Sequence, residues 1–232
     1  MEIRLLKVSH CFDDGYGGKV TPLREIDWTL QGGETYALLG PSGSGKTTLL
    51  FILGCLLRPT EGEVIMDGRN VYHLSEDQLS ELRGQRIGFV FQRCYLIPTL
   101  TVWENLALPA WVLKKEIPKR KLATRIEELL EQFGLKERAG FLPHQLSGGQ
   151  RRRVALARAL LYDPEIILAD EPTAEMDEAQ RQKVAEWLLT TRRQGKTVVV
   201  ATHDTWLASQ ARHIFALKNG KLYLQNKNSL AV

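Results

Sequence analysis

The sequence lacks an apolar segment long enough to cross a membrane. Its longest apolar run, residues 49–57, is far shorter than the roughly 20 residues that a transmembrane helix needs. Residues 1–7 alternate charged and apolar side chains too early for a secretory signal sequence. We therefore expect a chain that does not enter a membrane by itself.

Cysteine is scarce, and charge of either sign is not concentrated. Cys11, Cys55 and Cys94 lie far apart, without the short spacings that metal sites use, so we expect three free thiols. The net charge is +4, and the only tight basic runs are residues 119–121 and 151–153. We interpret both runs as solvated helix faces and expect no nucleic-acid partner.

Strand and helix patterns alternate along the chain. Strand patterns occupy residues 3–8, 23–30, 35–39, 64–66, 71–72, 86–91, 165–169 and 197–202. Helical patterns occupy residues 47–57, 75–84, 118–133, 148–161 and 178–195. The alternation predicts an α/β fold with a largely parallel sheet and ligand sites at the carboxyl ends of its strands. We expect one domain over residues 1–232, with a helical subdomain inserted at about residues 92–158.

A glycine-rich segment separates the strand at residues 35–39 from the next helix. It matches G-x-x-x-x-G-K-[ST] with the residues Gly40, Pro41, Ser42, Gly43, Ser44, Gly45, Lys46 and Thr47. In this pattern backbone N–H groups surround phosphate oxygens, the lysine reaches the β- and γ-phosphates, and the final hydroxyl binds Mg²⁺. We predict a nucleotide site here, with Thr48 as a further contact, Lys46 as a binding and catalytic residue, and Thr47 as a metal ligand.

Two adjacent acids, Asp170 and Glu171, follow the apolar strand at residues 165–169. Beside a phosphate-binding loop, Asp170 is expected to hold Mg²⁺, and Glu171 to orient and deprotonate the attacking water. The pair therefore predicts hydrolysis of the nucleotide. GTP is disfavoured, because the string nearest to a guanine-reading Asn-Lys-x-Asp segment, residues 226–229, lacks the acid.

A third motif, Leu146-Ser147-Gly148-Gly149-Gln150, opens a predicted helix. Ser147 is a good N-cap, but each glycine costs about 0.8–1.0 kcal/mol relative to alanine in a helix interior. Close approach of an anion to the helix N-terminus explains the two glycines better than helix stability does. Because one triphosphate is already held by the first loop, we infer that this second site completes a nucleotide held by another copy. A capped surface helix is the alternative.

Together the three motifs resemble those of the ATP-binding subunits of ATP-binding-cassette (ABC) transporters, and the resemblance extends over residues 2–225. It implies a P-loop NTPase core of the ABC ATPase type, with an inserted helical subdomain and an N-terminal antiparallel β subdomain. It also implies ATP and Mg²⁺ as ligands, a second copy of the chain as an ATP-dependent partner, and a membrane permease as the driven component. The implied location is peripheral, on the cytoplasmic face of the plasma membrane.

The resemblance also assigns roles outside the three motifs. Gln92 matches the glutamine that senses Mg²⁺ and the attacking water, and His203 matches the histidine that contacts the γ-phosphate. Asp177 matches the loop aspartate that communicates across the dimer. An aromatic ring is expected on adenine: Phe12 fits best by its distance from the preceding strand, and Tyr16 is the alternative.

A finer resemblance is to the subgroup that serves macrolide exporters, lipoprotein-releasing complexes and the bacterial cell-division ABC complex. It is carried by residues 87–92, 96–98, 100–101, 104–105 and 108–109. Glu175-Met176 and Arg93-Cys94-Tyr95 depart from the subgroup's pattern. An ATP-dependent switch of a transmembrane partner, without cargo, therefore stays an alternative to transport. A soluble ABC ATPase acting on DNA or ribosomes is disfavoured, because neither a long coiled-coil insertion nor a second cassette occurs.

An apolar cluster follows Gln92. Its members are Tyr95, Leu96, Ile97, Leu100 and Trp103. We expect most of them in the core of the helical subdomain, and we hypothesise that the rest form an exposed groove for a short helix of the membrane partner.

Overall fold

A computed structural model describes residues 1–13, 15–113, 117–174 and 176–227. The strands are β1 Ile3–Asp13, β2 Lys19–Leu30, β3 Thr35–Leu39, β4 Glu61–Met66, β5 Arg69–Asn70, β6 Ile87–Val90, β7 Ile166–Asp170, β8 Thr197–Thr202, β9 His213–Lys218 and β10 Lys221–Gln225. The α-helices are α1 Lys46–Leu53, α2 Glu76–Arg86, α3 Val102–Val112, α4 Lys119–Gln132, α5 Gly148–Ala159, α6 Glu178–Arg193 and α7 Thr205–Ser209. Glu175, one of the departures from the subgroup pattern, lies outside the described residues.

The strands form two sheets. A four-stranded antiparallel sheet has the order β2-β1-β4-β5, and a six-stranded sheet has the order β10-β9-β3-β8-β7-β6. In the larger sheet β6, β7, β8, β3 and β9 run parallel, and β10 is antiparallel to β9. The carboxyl ends of the parallel strands therefore meet at one edge, where the predicted glycine-rich loop and the two acids follow β3 and β7. The predicted α/β class and the N-terminal antiparallel sheet are confirmed.

The α1 helix is shorter than predicted. It ends at Leu53 instead of continuing to residue 57, because Gly54 caps it and Cys55 adopts a left-handed φ of 56°. A Cβ on Gly54 would lie 1.9 Å from a ring carbon of Phe89, so the chain turns where a side chain could not fit. The Tyr72 hydroxyl then donates to the carbonyls of Ile52 and Leu57, which fixes the turn.

The predicted strand at residues 71–72 was wrong. Asp67-Gly68 does form a turn, but the returning strand is only Arg69–Asn70. The Asn70 side chain accepts a hydrogen bond from the Tyr72 backbone at 3.0 Å, and this cap starts a 3₁₀ turn over Val71–His73. The hydrogen bond from the Tyr72 backbone to the Asn70 side chain therefore determines the local structure, although the apolar residues that follow favour a strand.

Between β6 and β7 the chain forms α3, α4 and α5. The spacings Ser75-x-x-Gln78 and Thr101-x-x-Glu104 predict capping boxes, and both boxes are present, before α2 and before α3. The helices pack against one face of the larger sheet, where residues such as Leu106 and Leu130 share a buried core with Ile167 of β7. This shared core supports one domain, whereas the subdomain limits at residues 92 and 158 stay a prediction.

The remaining structural expectations concern thiols and membrane spans. Cys11, Cys55 and Cys94 are free, as predicted, and burial raises the pKa of the Cys55 thiol to about 12. In the part of the chain that is described, no helix is long and apolar enough to cross a bilayer.

Candidate nucleotide site

The glycine-rich loop joins β3 to α1 at the carboxyl edge of the larger sheet. Gly43 and Gly45 have φ values of 78° and 101°, which favour glycine. A Cβ on Gly40 would lie 2.5 Å from the Ser44 hydroxyl oxygen and 2.9 Å from the Leu217 carbonyl oxygen, so this position also needs glycine. The loop conformation thus explains all three glycines that the motif contains.

Lys46 is buried at the centre of this loop. Its Nζ donates to the carbonyl oxygens of Gly40 at 2.7 Å and Pro41 at 3.1 Å, and it lies 3.8 Å from Oε1 of Glu171. The ammonium group therefore stands between the loop backbone and the acid that follows β7. Such a position lets one cation neutralise both a phosphate oxygen and a neighbouring carboxylate.

Thr47 and Asp170 are in direct contact. The Thr47 hydroxyl donates to Oδ2 of Asp170 at 2.8 Å. Burial raises the pKa of Asp170, while the Thr47 hydrogen bond and the charges of Lys46 and Arg152 oppose that rise. A hydroxyl and a carboxylate oxygen side by side are the hard ligands that Mg²⁺ prefers, and a bound cation would favour the ionised carboxylate. The residues present therefore fit the metal that the sequence predicts.

Glu171 lies beside this pair with its carboxylate held on two sides. Oε1 is 3.0 Å from Nδ1 of His203. Oε2 accepts hydrogen bonds from the Thr202 hydroxyl at 3.0 Å and from the His203 backbone N–H at 3.4 Å. The carboxylate is thus oriented by the end of β8 and lies next to the exposed His203 ring.

Thr202 is a further residue of the site, and no motif in the sequence predicts it. Its hydroxyl is fully buried, and β7 pairs with β8 so that Asp170 lies opposite Ala201, which brings Glu171 next to Thr202. Thr202 could have been predicted if the strand order had been known. The neighbouring strands β7 and β8 both end in polar residues, and their register places these residues side by side.

The third motif forms the predicted helix N-terminus. Ser147 caps α5 by accepting from the Gln150 backbone at 3.2 Å, and the Gln150 side chain accepts from the Ser147 backbone at 2.8 Å. This tip lines a cavity of about 620 Å³ with residues of α4 and α6. None of the described residues around that cavity belongs to the loop at residues 40–47. The two glycine-rich sites of one chain therefore open into different spaces.

The other predicted site residues are placed less closely together. Gln92 is exposed just after β6, Thr48 is half-buried in α1, and Asp177 accepts from the Gln180 backbone at 2.8 Å at the start of α6. Phe12, on β1, is 42% exposed and Tyr16 is 98% exposed, so exposure does not choose between them as the adenine contact. Among the described residues, no hydrogen bond or ion pair joins Gln92, Phe12 or Asp177 to the group of residues around Glu171, which are Lys46, Thr47, Asp170, Thr202 and His203.

The apolar cluster after Gln92 divides into two parts. Leu96 and Trp103 pack against the core that the helices share with the sheet. Tyr95 and Ile97 are 63% and 40% exposed. The Arg158 guanidinium donates to the carbonyls of Cys94 and Tyr95, both at 2.8 Å, and so holds the backbone of this segment while the Tyr95 ring faces outward.

The fold and these motifs define an ATP-hydrolysing cassette. The sequence profile of the family described as ABC transporter matches residues 23–174, and the chain belongs to that family. The pyoverdine export ATP-binding/permease protein PvdT of Pseudomonas fluorescens is 43% identical over 220 residues, which cover 95% of this chain and 33% of that protein. The macrolide export ATP-binding/permease protein MacB of Rhodopseudomonas palustris is 43% identical over 201 residues, which cover 87% of this chain and 30% of that protein.

The chain thus spans about a third of the length of these two curated relatives. A solved structure, described as a dimeric post-hydrolysis state of the ATP-binding cassette MJ0796 bound to ADP and Pi, superimposes with a TM-score of 0.89 at 38% identity. That superposition covers 97% of this chain and 98% of the MJ0796 chain. The predicted ABC ATPase fold is therefore confirmed.

Proposed function

We propose that this chain is the ATP-binding and ATP-hydrolysing subunit that energises an export or extraction system of the macrolide-export and lipoprotein-release subgroup. The observation that carries the proposal is the setting of the Glu171 carboxylate. It lies within 3.8 Å of Lys46 and 3.0 Å of His203, beside the Thr47–Asp170 pair.

The proposed binding roles follow from the loop geometry. The backbone N–H groups of residues 42–47, together with Lys46 and Thr48, hold the phosphates of ATP. Thr47, Asp170 and Gln92 are the proposed ligands of Mg²⁺, which supplies charge neutralisation between the phosphates when bound. The adenine ring stacks on Phe12 or, as the alternative, on Tyr16.

The proposed catalytic roles belong to the residues at the ends of β7 and β8. Glu171 orients a water molecule and accepts its proton, because its carboxylate is fixed by Thr202 and the His203 backbone and can face the γ-phosphate. The exposed His203 ring contacts the γ-phosphate oxygens. Lys46 stabilises the charge that develops on the transferred group.

A second copy of the chain completes the site in this proposal. The α5 tip of the partner copy, residues 147–150, binds the γ-phosphate through the backbone N–H groups of Gly148 and Gly149, and Asp177 lies at the contact between the two copies. Support comes from the separation of the two glycine-rich sites within one chain and from the dimeric cassette to which the chain is similar.

The driven partner in this proposal is a membrane permease, and the ATPase acts at the cytoplasmic face of the membrane. PvdT and MacB are named as export proteins that combine ATP-binding and permease parts, which favours transport over a switch without cargo. We place the contact with the permease at the exposed side chains Tyr95 and Ile97, with Leu100 beside them.

The test compares Glu171→Gln with Lys46→Ala. Loss of the general base should lower turnover by roughly 10²–10⁴-fold while ATP binding survives, and an ATP-dependent dimer should accumulate in light scattering. Lys46→Ala should instead lose ATP binding, because it removes the charged contact to the phosphates. A Glu171→Gln protein that hydrolyses ATP at the parent rate, or stays monomeric with ATP bound, would contradict the proposal.

A further inference from the structure

Arg152 is a buried cation in the first half of α5, between two arginines that are half-buried. Its side chain is 5% exposed, and its Nη1 donates to the carbonyl oxygen of Phe91 at 2.5 Å. Its Nη2 lies 3.4 Å from the carbonyl oxygen of Glu171. One guanidinium group therefore connects α5, the helix that begins with the glycine-rich tip, to two other segments. These are the segment after β6, at Phe91, and the segment after β7, at Glu171.

The Glu171 backbone needs such support. Its φ is 43°, a left-handed conformation that is strained for a side chain of this size and persists only where the surroundings fix it. The Glu171 N–H donates to the Ala201 carbonyl at 2.8 Å, and the Glu171 carbonyl oxygen accepts from the Ala174 N–H at 3.2 Å and from Nη2 of Arg152 at 3.4 Å. The peptide groups on both sides of the Glu171 Cα are thus held, and their orientation sets the direction of the carboxylate.

The contact with Phe91 extends the connection to the Gln92 segment. Phe91 directly precedes Gln92, and Arg158 of the same helix binds the carbonyls of Cys94 and Tyr95. Two guanidinium groups of α5 therefore hold the backbone of residues 91–95. Because Arg152 lies on the same helix as the tip, a displacement of the tip would also displace its contacts with both segments.

We propose that Arg152 is a positioning residue that couples the α5 tip to the Glu171 backbone of the same chain. The tip serves the nucleotide of the partner copy, whereas Glu171 serves the nucleotide of its own chain. Through Arg152, binding of the α5 tip to the partner's nucleotide orients the Glu171 carboxylate toward the nucleotide of its own chain. This inference rests on the proposed role of Glu171 as general base.

The sequence offers variants that separate positioning from folding. Arg152→Met keeps the aliphatic stem but removes both contacts, and Arg152→Lys keeps the charge but lacks the planar fork that reaches two carbonyls. Arg125→Met is the matched control, because Arg125 donates to the Leu160 carbonyl at 3.1 Å within the same group of helices and touches neither Phe91 nor Glu171.

The experiment is a double-mutant cycle on the full chain, with turnover and KM for ATP measured in the parent and in the Glu171→Gln background. For Arg152→Met we expect kcat to fall about tenfold or more with KM changed less than about twofold, and Arg125→Met to stay near the parent. In the Glu171→Gln background, single-turnover rates should fall less than about twofold further, because the group that Arg152 positions is already gone. If Arg152→Met does not fold, Arg152→Lys takes its place in the cycle with the same criteria.

Three results would overturn the inference. They are an equal loss of rate in both backgrounds, a rise in KM at unchanged kcat, and parent kinetics in the Arg152 variant. If Glu171→Gln alone keeps parent turnover, the proposed function fails together with the inference. If Glu171→Gln is inactive while the Arg152 variant is unaffected, the inference alone fails.

Discussion

The Thr47 hydroxyl donates a 2.8 Å hydrogen bond to Oδ2 of Asp170, across 123 residues of sequence. The contact joins the first turn of α1 to the end of β7, because β7 and β3 flank β8 and their carboxyl ends share one edge of the sheet. Two of the three proposed Mg²⁺ ligands are therefore adjacent in the fold itself. This preorganisation reduces the reorganisation that metal binding would otherwise require.

Thr47→Ala should weaken Mg²⁺-dependent ATP binding by at least about tenfold, because it removes one oxygen ligand and the hydrogen bond that orients the other. Binding of ATP in EDTA should change much less, since Lys46 and the loop amides are retained. Titration with a fluorescent ATP analogue, with and without Mg²⁺, measures both affinities. Thr47→Ser keeps the hydroxyl and should restore Mg²⁺-dependent affinity; equal affinities for the alanine variant and the parent would argue against the metal role.

Gly149→Ala should fold normally and still lose activity. The added Cβ would meet the amide oxygen of Gln180 at 2.9 Å, and this is the end of a flexible side chain that can move. Alanine also favours helix over glycine by up to about 1 kcal/mol, so the melting temperature should not fall. Turnover should drop at least about tenfold, because the methyl group keeps the partner's γ-phosphate away from the backbone N–H groups.

Gly88→Ala is the contrasting control for this experiment. Its Cβ would lie 2.5 Å from the Ala159 carbonyl oxygen, which is backbone and cannot move aside. That variant should lower the melting temperature. Full turnover in Gly149→Ala would show that this glycine does not face a nucleotide.

Tyr95→Glu should uncouple transport from hydrolysis. The Tyr95 ring is mostly exposed and packs edge-to-face against the half-buried Phe91, and the Tyr95 backbone is held by Arg158, so a charge here alters an exposed surface while the backbone contact is retained. Basal ATPase activity of the isolated chain should stay within about twofold of the parent, whereas stimulation by the reconstituted permease and transport should be lost. Tyr223→Glu, at an exposed tyrosine on β10, is the control. Equal loss of basal and coupled activity would count against a docking role.

The ion cluster around Arg86 should make stability depend on pH. Arg86 binds Asp67 and Glu165, and these hydrogen bonds lower the pKa of both carboxyls below their usual values near 3.8 and 4.5. A lowered carboxyl pKa contributes stability above the unfolded-state pKa, and that stability is lost as the pH falls through the folded-state pKa.

Arg86→Gln should therefore melt lower than the parent near pH 7, and the difference should shrink as the pH falls below the usual carboxyl values near 3.8 and 4.5 and both carboxyls become protonated. The carboxylates are partly exposed, so the effect is a few degrees at most, in line with about 0.2–1 kcal/mol per surface pair. Arg4→Gln, which removes an exposed pair with Glu2, is the control with little expected change. Thermal melts at several pH values measure the difference; one that stays constant with pH would contradict the assignment.

The sequence predicted those parts of the fold that local chemistry determines. The capping boxes at Ser75 and Thr101 and the N-cap at Ser147 formed where the patterns indicated, since each needs only residues three positions apart. The end of α1 was missed because it depends on Phe89, which meets Gly54 only in the folded chain. The short α7 helix was also missed, because its cap, Asp204, lies in a segment with few apolar repeats.

The site shows the same division between local and long-range determinants. Lys46, Thr47, Asp170, Glu171 and His203 were predicted, because each stands in a motif or at the end of an apolar strand, and the structure brings them together. Thr202 was not identified, and the interpretation of residues 151–153 as a solvated helix face was wrong for the buried Arg152, since the contacts of Thr202 and Arg152 with Glu171 span 31 and 19 residues. Arg152 in particular binds backbone carbonyl oxygens, and every residue has one, so the sequence does not indicate which residues it contacts.

The most direct test of the central claim is a crystal structure of the Glu171→Gln protein with ATP and Mg²⁺. We expect a two-fold dimer in which each γ-phosphate contacts Lys46 of one copy and the Gly148 and Gly149 backbone N–H groups of the other. A nucleotide-bound structure in which the α5 tip of every copy faces solvent would contradict it.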